Sequence, residues 1–161
     1  MHMRDQKERR FSVNLTHQRN YQFLSQATED GRLHGAPYIS DEPDPVGDDA
    51  GPSTPAMLAT ALGHCLSAAL IEALRKSEVA VLGCDTQAVA VVQPNADGHP
   101  RIHHVDVTLR PRVEQRRSQM QRCEEIFQNH CTVTSSVRQG IDVRVQVDWQ
   151  IERETATVGS T

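Results

Sequence analysis

Residues 55–76 read PAMLATALGHCLSAALIEALRK, and this stretch decides the fold. Leu58, Ala61, Leu62, Cys65, Leu66, Ala69, Leu70, Ala73 and Leu74 recur at spacings of three and four, which marks one face of a helix. Ala59 and Ala68 widen the apolar surface, so the pattern predicts a long helix buried around much of its circumference. Ser53 or Thr54 supplies an N-cap, and Pro55 falls in the first turn, where a missing N–H costs nothing. Arg75 and Lys76 occupy the last turn, where cations complement the helix dipole.

Strand patterns flank this helix on both sides. Upstream, Phe11, Val13 and Leu15 alternate with Ser12, Asn14 and Thr16, the period of a half-buried strand. A turn at Arg19-Asn20 and a return strand over Tyr21 to Gln26 complete a hairpin. Asp30-Gly31 marks another turn, and Pro37 to Ser40 reads as a short third strand. The segment from Asp41 to Pro55 is a loop rich in Asp, Pro and Gly, with acidic groups at Asp41, Glu42, Asp44, Asp48 and Asp49. Downstream, Asp85 to Gln93 and Ile102 to Arg110 predict two strands joined through Asn95, Asp97 and Gly98, with Pro111 ending the second. A helix is expected from about Val113 to Asn129, with Val113, Met120, Cys123 and Phe127 inward and Arg116, Arg117, Glu124 and Glu125 outward. Thr132 to Gln139 predicts a third, short helix stopped by Gly140. From Ile141 to Ile151, strict alternation of Ile, Val and Trp with polar residues predicts a last strand in an antiparallel sheet with one wet face. Strand pairs separated by helices, without strict βαβ alternation, define an α+β class. The expected organisation is a tail over 1–10, one domain over 11–152 and a tail over 153–161.

Composition narrows the partners. The chain has 161 residues, 37% hydrophobic, 24% charged and only 4% aromatic, with a formal net charge of -4. That balance lacks the basic footprint of a nucleic-acid binder. A core short of large rings is filled by Leu, Val, Ile and Ala, or enlarged by a second chain. No uninterrupted apolar run reaches the roughly 18 residues of a membrane span, and the N-terminus shows no secretory h-region. The expectation is therefore a cytoplasmic protein whose four cysteines rest as thiols.

Two of those cysteines each follow a histidine, at His64-Cys65 within the long helix and at His130-Cys131 after the second helix. A thiol in a helix and a second one placed to reach it are the minimum apparatus for reversible cysteine oxidation. Cys123, on an inward helix face, and Cys84, at a strand entrance, read as structural. Adjacent helical residues point about 100° apart, so His64 does not readily contact its own Cys65. His130, at an irregular helix end where two segments converge, is the better neighbour. By strict alternation His103 and His104 would face opposite sides of their strand.

Gly51-Pro52-Ser53 leading into Ala61-Leu62-Gly63-His64-Cys65 resembles the signature entering the first cysteine helix of OsmC/Ohr-like proteins, the osmotically inducible and organic hydroperoxide resistance proteins. The loop Ser40-Asp41-Glu42-Pro43 with Gly47-Asp48-Asp49 is similar to theirs. So is Cys131-Thr132-Val133-Thr134-Ser135-Ser136-Val137 followed by Gly140-Ile141-Asp142-Val143, although the family more often has Pro where Thr132 stands. The resemblance spans about Phe11 to Ile151. It implies an OsmC-like fold, with antiparallel sheets wrapped around long central helices in an intertwined homodimer. It also implies a thiol-dependent peroxidase that reduces organic hydroperoxides or hydrogen peroxide without a cofactor or metal. Cys65 would be peroxidatic and Cys131 resolving, and an external dithiol would restore both. The family's peroxidases hold the reactive thiolate with an Arg, itself held by a Glu near the start of the cysteine helix. Here that Glu position falls on Pro55 or Ala56, so the groups left to activate Cys65 are Arg19, Arg32, His64 and His130. Two other functions stay open: a non-catalytic redox sensor or small-ligand-binding protein of the same fold, and a dimer binding metal through its Cys and His residues.

Overall fold

A computed structural model describes residues 8–114 and 118–140. The chain folds as three antiparallel strands, a long helix, a two-stranded ribbon and two short helices, in the order β1(Phe11–Arg19), β2(Gln22–Glu29), β3(Arg32–Ser40), α1(Thr54–Lys76), β4(Val81–Pro94), β5(Pro100–Val113), α2(Gln119–Ile126) and α3(Thr132–Gln139). This is the expected α+β architecture. The expected strand over Ile141 to Ile151, Arg116, Arg117 and the tail beyond lie outside the described residues.

Helix α1 organises the molecule. Ala59, Leu62, Gly63, Leu66, Leu70 and Leu74 form its buried face. That face packs on β4, while α2, α3 and β5 add further cover. Leu66, Leu70 and Leu74 join Val79, Cys123, Phe127 and Cys131 in one cluster, with Val107, Leu109, Val113 and Met120 packed against it. Each fully buried Leu or Phe contributes about 1.5–3 kcal/mol. Gly63 suits the close crossing of α1 over β4, where a Cβ would lie 3.3 Å from the Ala88 Cβ, tighter than ordinary contact. The helix stops in a Schellman arrangement. Val79 N–H donates to Leu74 O and Glu78 N–H to Arg75 O, each at 3.0 Å, with Glu78 at φ 59°. Val79 and Leu74 close the motif with the hydrophobic contact that usually accompanies it.

By length and composition alone, α1 could cross a membrane, contrary to the expectation from uninterrupted apolar runs. Thr60, His64 and Ser67 break the run, but the average over the segment stays apolar. The burial expected around most of α1 is also reduced. Ala61, His64, Ala68 and Glu72 are exposed on the side away from β4.

In the ribbon, β4 and β5 pair from Val81↔Val113 to Pro94↔Pro100, longer than the sequence pattern implied. Pro111 does not end β5; it pairs opposite Cys84. Proline is tolerated on a strand whose other edge needs no ladder donor, and no described strand pairs with that edge of β5. Because β5 runs through Val113, α2 begins only at Gln119, later than expected. It ends in a 3-10 turn over Phe127–His130. Helix α3 spans Thr132–Gln139, the range read from the sequence, and Gly140 at φ 77° terminates it.

Sheet β1-β2-β3 has the expected hairpin order. Asp30 and Gly31 both take positive φ, the requirement of a tight I′-type turn. Strand β3 starts at Arg32, well before the expected Pro37. Strand β1 was read as half-buried, yet it is exposed along its whole length, because no described helix packs along this sheet.

The loop between β3 and α1 ties the sheet to the helix. Asp41 is buried, and its carboxylate accepts backbone N–H bonds from Glu42 at 2.8 Å and from Asp48 and Ala50 at 3.1 Å. Asp48 in turn accepts from Asn20 at 3.2 Å and Gln22 at 3.0 Å. The acidic loop is thus an internally bonded structure. Burial pushes the Asp41 carboxyl up, but the N–H bonds of Ala50, Glu42 and Asp48 and the Gln22 side chain outweigh it and hold it below its ordinary value. A depressed carboxylate stabilises the fold above its unfolded value near 3.9, and that stabilisation is lost as the pH falls through its folded value. Asp41→Ala is therefore expected to lower the urea midpoint at pH 7 and to flatten the acid limb below about pH 4. Equal midpoints for both proteins at pH 7 would contradict this role.

Candidate functional site

Cys65 and Cys131 come from different elements and meet at the core. Cys65 is carried by α1, where the three- and four-residue spacing sets it beside the buried face and only partly covered. Cys131 is the N-cap residue of α3, with extended φ and ψ. Its Cα lies 5.7 Å from that of Cys65, within the range a disulfide spans, and the two sulfurs are in contact across 66 residues of sequence. Cys131 is only 1% exposed, and its Sγ lies 3.0 Å from the hydroxyl of Thr134, also buried. The pair is therefore asymmetric, with Cys65 half-buried at the wall of a cleft and Cys131 covered.

On the surface side is a cleft of about 780 Å³ whose lining includes Tyr38, Met57, Ala61, His64, Cys65, Ala68, His130 and Val133. It is mostly apolar, with both candidate histidines at its wall. Among the described residues, no arginine or lysine lines it. Arg19 is 3.7 Å from Asp48 and donates to Gln22 at 3.4 Å, at the β1–β2 turn. Arg32 opens β3 opposite Glu29. The structure thus brings His64, His130, Cys65 and Cys131 together and leaves both arginines outside the cleft of a single chain. Ala56, where the family resemblance placed a glutamate, lines a second cleft on the β4 side of α1 with Cys84, Ser67 and Thr86.

Cys123 is a packing residue that also contacts the end of α1. It is 2% exposed, with Sγ 3.5 Å from Ala73 O and 3.2 Å from Ser77 Oγ. Cys84 is half-buried at the ribbon, 3.8 Å from Thr86 Oγ1. Among the described residues, no three of His, Cys, Asp and Glu converge on one point, so nothing supports the metal reading at the cysteine pair.

The alternation argument fails at His103 and His104. Val91 pairs with His104 but Val92 with Ile102, so β5 carries an extra residue at a bulge. The bulge turns the two rings toward each other, with Nδ1 atoms 2.8 Å apart. Neighbouring histidines were the only signal for this in the sequence; the bulge depends on the partner strand.

A half-buried cysteine on an α+β scaffold thus lies in contact with a buried second cysteine, the juxtaposition that thiol–disulfide exchange requires. Residues 47–146 match the family model of the OsmC-like proteins, and the chain belongs to that family. The fold is shared with an OsmC-like protein of unknown function from Vibrio cholerae O1 biovar eltor str. N16961 (TM-score 0.63, 16% identity, 78% of this chain and 92% of that one). It is shared also with the organic hydroperoxide resistance protein OsmC of Legionella pneumophila (0.58, 11%, 88% and 96%). A third such structure is an organic hydroperoxide resistance protein from Elizabethkingia anophelis (0.58, 14%, 83% and 91%). At these identities the likeness is one of fold. No curated protein matches the chain.

Proposed function

We propose that the protein is a cysteine-based peroxidase that reduces organic hydroperoxides or hydrogen peroxide, with Cys65 peroxidatic and Cys131 resolving. The observation that carries this reading is the asymmetry of the pair: a peroxide in the apolar cleft reaches Cys65, whereas Cys131 is covered but in contact with it. The Cys65 thiolate attacks the terminal peroxide oxygen, the O–O bond breaks, and the leaving alkoxide takes a proton to become the alcohol. The resulting sulfenic acid condenses with the Cys131 thiol, releasing water and forming the disulfide. An external dithiol then reduces the disulfide to two thiols, as befits a reducing, cytoplasmic setting.

A thiolate needs a cation, since a free thiol titrates near about 8.5 and apolar surroundings raise that value. His64 and His130 are the basic groups at the cleft wall, and an imidazolium at either is the activating group in this reading.

The active form is a homodimer. A single chain leaves Phe11 63%, Leu15 57% and Leu33 77% exposed, together with the open side of α1, apolar surface that a second chain would cover. Light scattering that gave the mass of one chain would sink this part.

The test is peroxide consumption by the reduced protein with a dithiol reductant, read alongside the pH profile of Cys65 alkylation. Turnover with cumene hydroperoxide and an alkylation midpoint below about 8, rising in His130→Ala or His64→Ala, is expected. A midpoint above about 8 with no turnover favours the second reading, a non-catalytic redox sensor or small-ligand binder. The residue at position 56 speaks for that alternative, because alanine cannot supply the family's carboxylate.

A further inference from the structure

The chain on both sides of Cys131 reaches the candidate cleft, but Cys131 itself does not. His130 and Thr132 line that cleft of about 780 Å³, as Cys65 does, whereas among the described residues Cys131 has no share in its wall and is only 1% exposed. The Cys131 side chain sits in the apolar cluster with Leu66, Leu70, Leu74 and Phe127. Its Sγ lies 3.0 Å from Thr134 Oγ1, and Thr134 is itself buried. A hydroxyl both accepts and donates. It accepts the S–H of a Cys131 thiol, and it turns to donate when that sulfur becomes an anion. A thiolate left in an apolar cluster without such a donor is costly.

Resting on the peroxidase reading, we propose that the external dithiol enters at Cys65 alone and that Thr134 is the positioning residue that receives Cys131 as the leaving thiolate. Thiol–disulfide exchange runs through a mixed disulfide, and its course depends on which sulfur is attacked and how readily the other leaves. Access selects Cys65, the sulfur at the cleft wall. One thiolate of the dithiol attacks Cys65 Sγ, the Cys65–Cys131 bond breaks, and its electron pair goes to Cys131. The Thr134 hydroxyl donates to that anion until a proton passes to it from the second thiol of the dithiol. The second sulfur, now an anion, attacks the first, releases Cys65 as a thiolate and closes the dithiol into a cyclic disulfide. Two electrons pass from the dithiol to the protein. The alternative is a packing contact with no part in the exchange, and the two differ in sign. Loosening the start of α3 exposes Cys131 and speeds reduction, whereas losing a donor to the leaving sulfur slows it.

Oxidising the full chain with diamide makes the disulfide without any peroxide step, and its reduction by dithiothreitol is then followed by acid quench and intact mass. Thr134→Val keeps the shape and loses the hydroxyl; it is expected to slow reduction about 10-fold, and Thr134→Ser to return the rate to within about 2-fold of wild type. Should valine disturb α3, Thr134→Ala removes the same hydroxyl and carries the same expectation. Oxidised wild type treated with 2-mercaptoethanol and quenched in acid should show the adduct on Cys65 and a free Cys131 in its peptide map. An adduct on Cys131, a hydroxyl-free variant reduced at or above the wild-type rate, or Thr134→Ser as slow as Thr134→Val would overturn the assignment. A chain that gives the expected adduct and rates yet consumes no hydroperoxide would sink the peroxidase reading and leave this step standing.

Discussion

Cys65→Ser is expected to abolish hydroperoxide consumption, lowering turnover by roughly 10³-fold or more. The attacking atom must be an anion at neutral pH and must accept an oxygen. Serine does neither, since its hydroxyl stays protonated and has no sulfenic state. The change is nearly isosteric and the position only partly buried, so the fold should survive it. Cys84→Ser serves as the control. Cys84 lies on the ribbon side of α1, outside the cleft that holds Cys65, and its loss should leave turnover unchanged. Retained turnover in Cys65→Ser, measured by ferrous–xylenol orange peroxide loss under excess dithiol, would end the peroxidase reading.

The elements that carry this chemistry differ in how far local sequence determines them. Helices α1 and α3 were legible because their apolar spacing and their start and stop residues are local, as in Pro55 near the start of α1 and Gly140 after α3. The tight turn at Asp30-Gly31 was legible for the same reason. Pro111 misled because proline excludes a residue only from strand positions whose N–H is needed, and that depends on a neighbour the sequence does not name. The short α2 follows from the same strand running on to Val113. His103 and His104 were misread because alternation assumes a regular register, while the bulge opposite Val91 and Val92 belongs to both strands at once. At the candidate site, the sequence proposed two sulfurs 66 residues apart, but only the packing of α3 against α1 shows them meeting. The exposure of one and the burial of the other was beyond any pattern, because it depends on where the 3-10 turn at Phe127–His130 lays its chain over the core.

That unequal burial governs the other large effect. Cys131→Ser keeps the Cys65 thiol and removes its rescue. The reduced variant is expected to consume a first equivalent of hydroperoxide at a rate near wild type, to take up a second more slowly, and then to stop. Without a partner sulfur, the Cys65 sulfenic acid persists in a cleft that peroxide still enters, so a second equivalent carries it to sulfinic acid. Intact-mass spectrometry should show the chain gain about 16 Da and then about 32 Da, while the wild type should instead lose about 2 Da as the disulfide forms. The serine hydroxyl can keep the contact with Thr134, 3.0 Å from the native sulfur, so the cap of α3 has little reason to unravel. A variant that turned over steadily would show that the external thiol resolves the sulfenic acid directly and that Cys131 is only a core residue. Loss of the first turnover as well would mean that Cys131 helps to form the Cys65 thiolate, and its role would then precede the oxidation instead of following it.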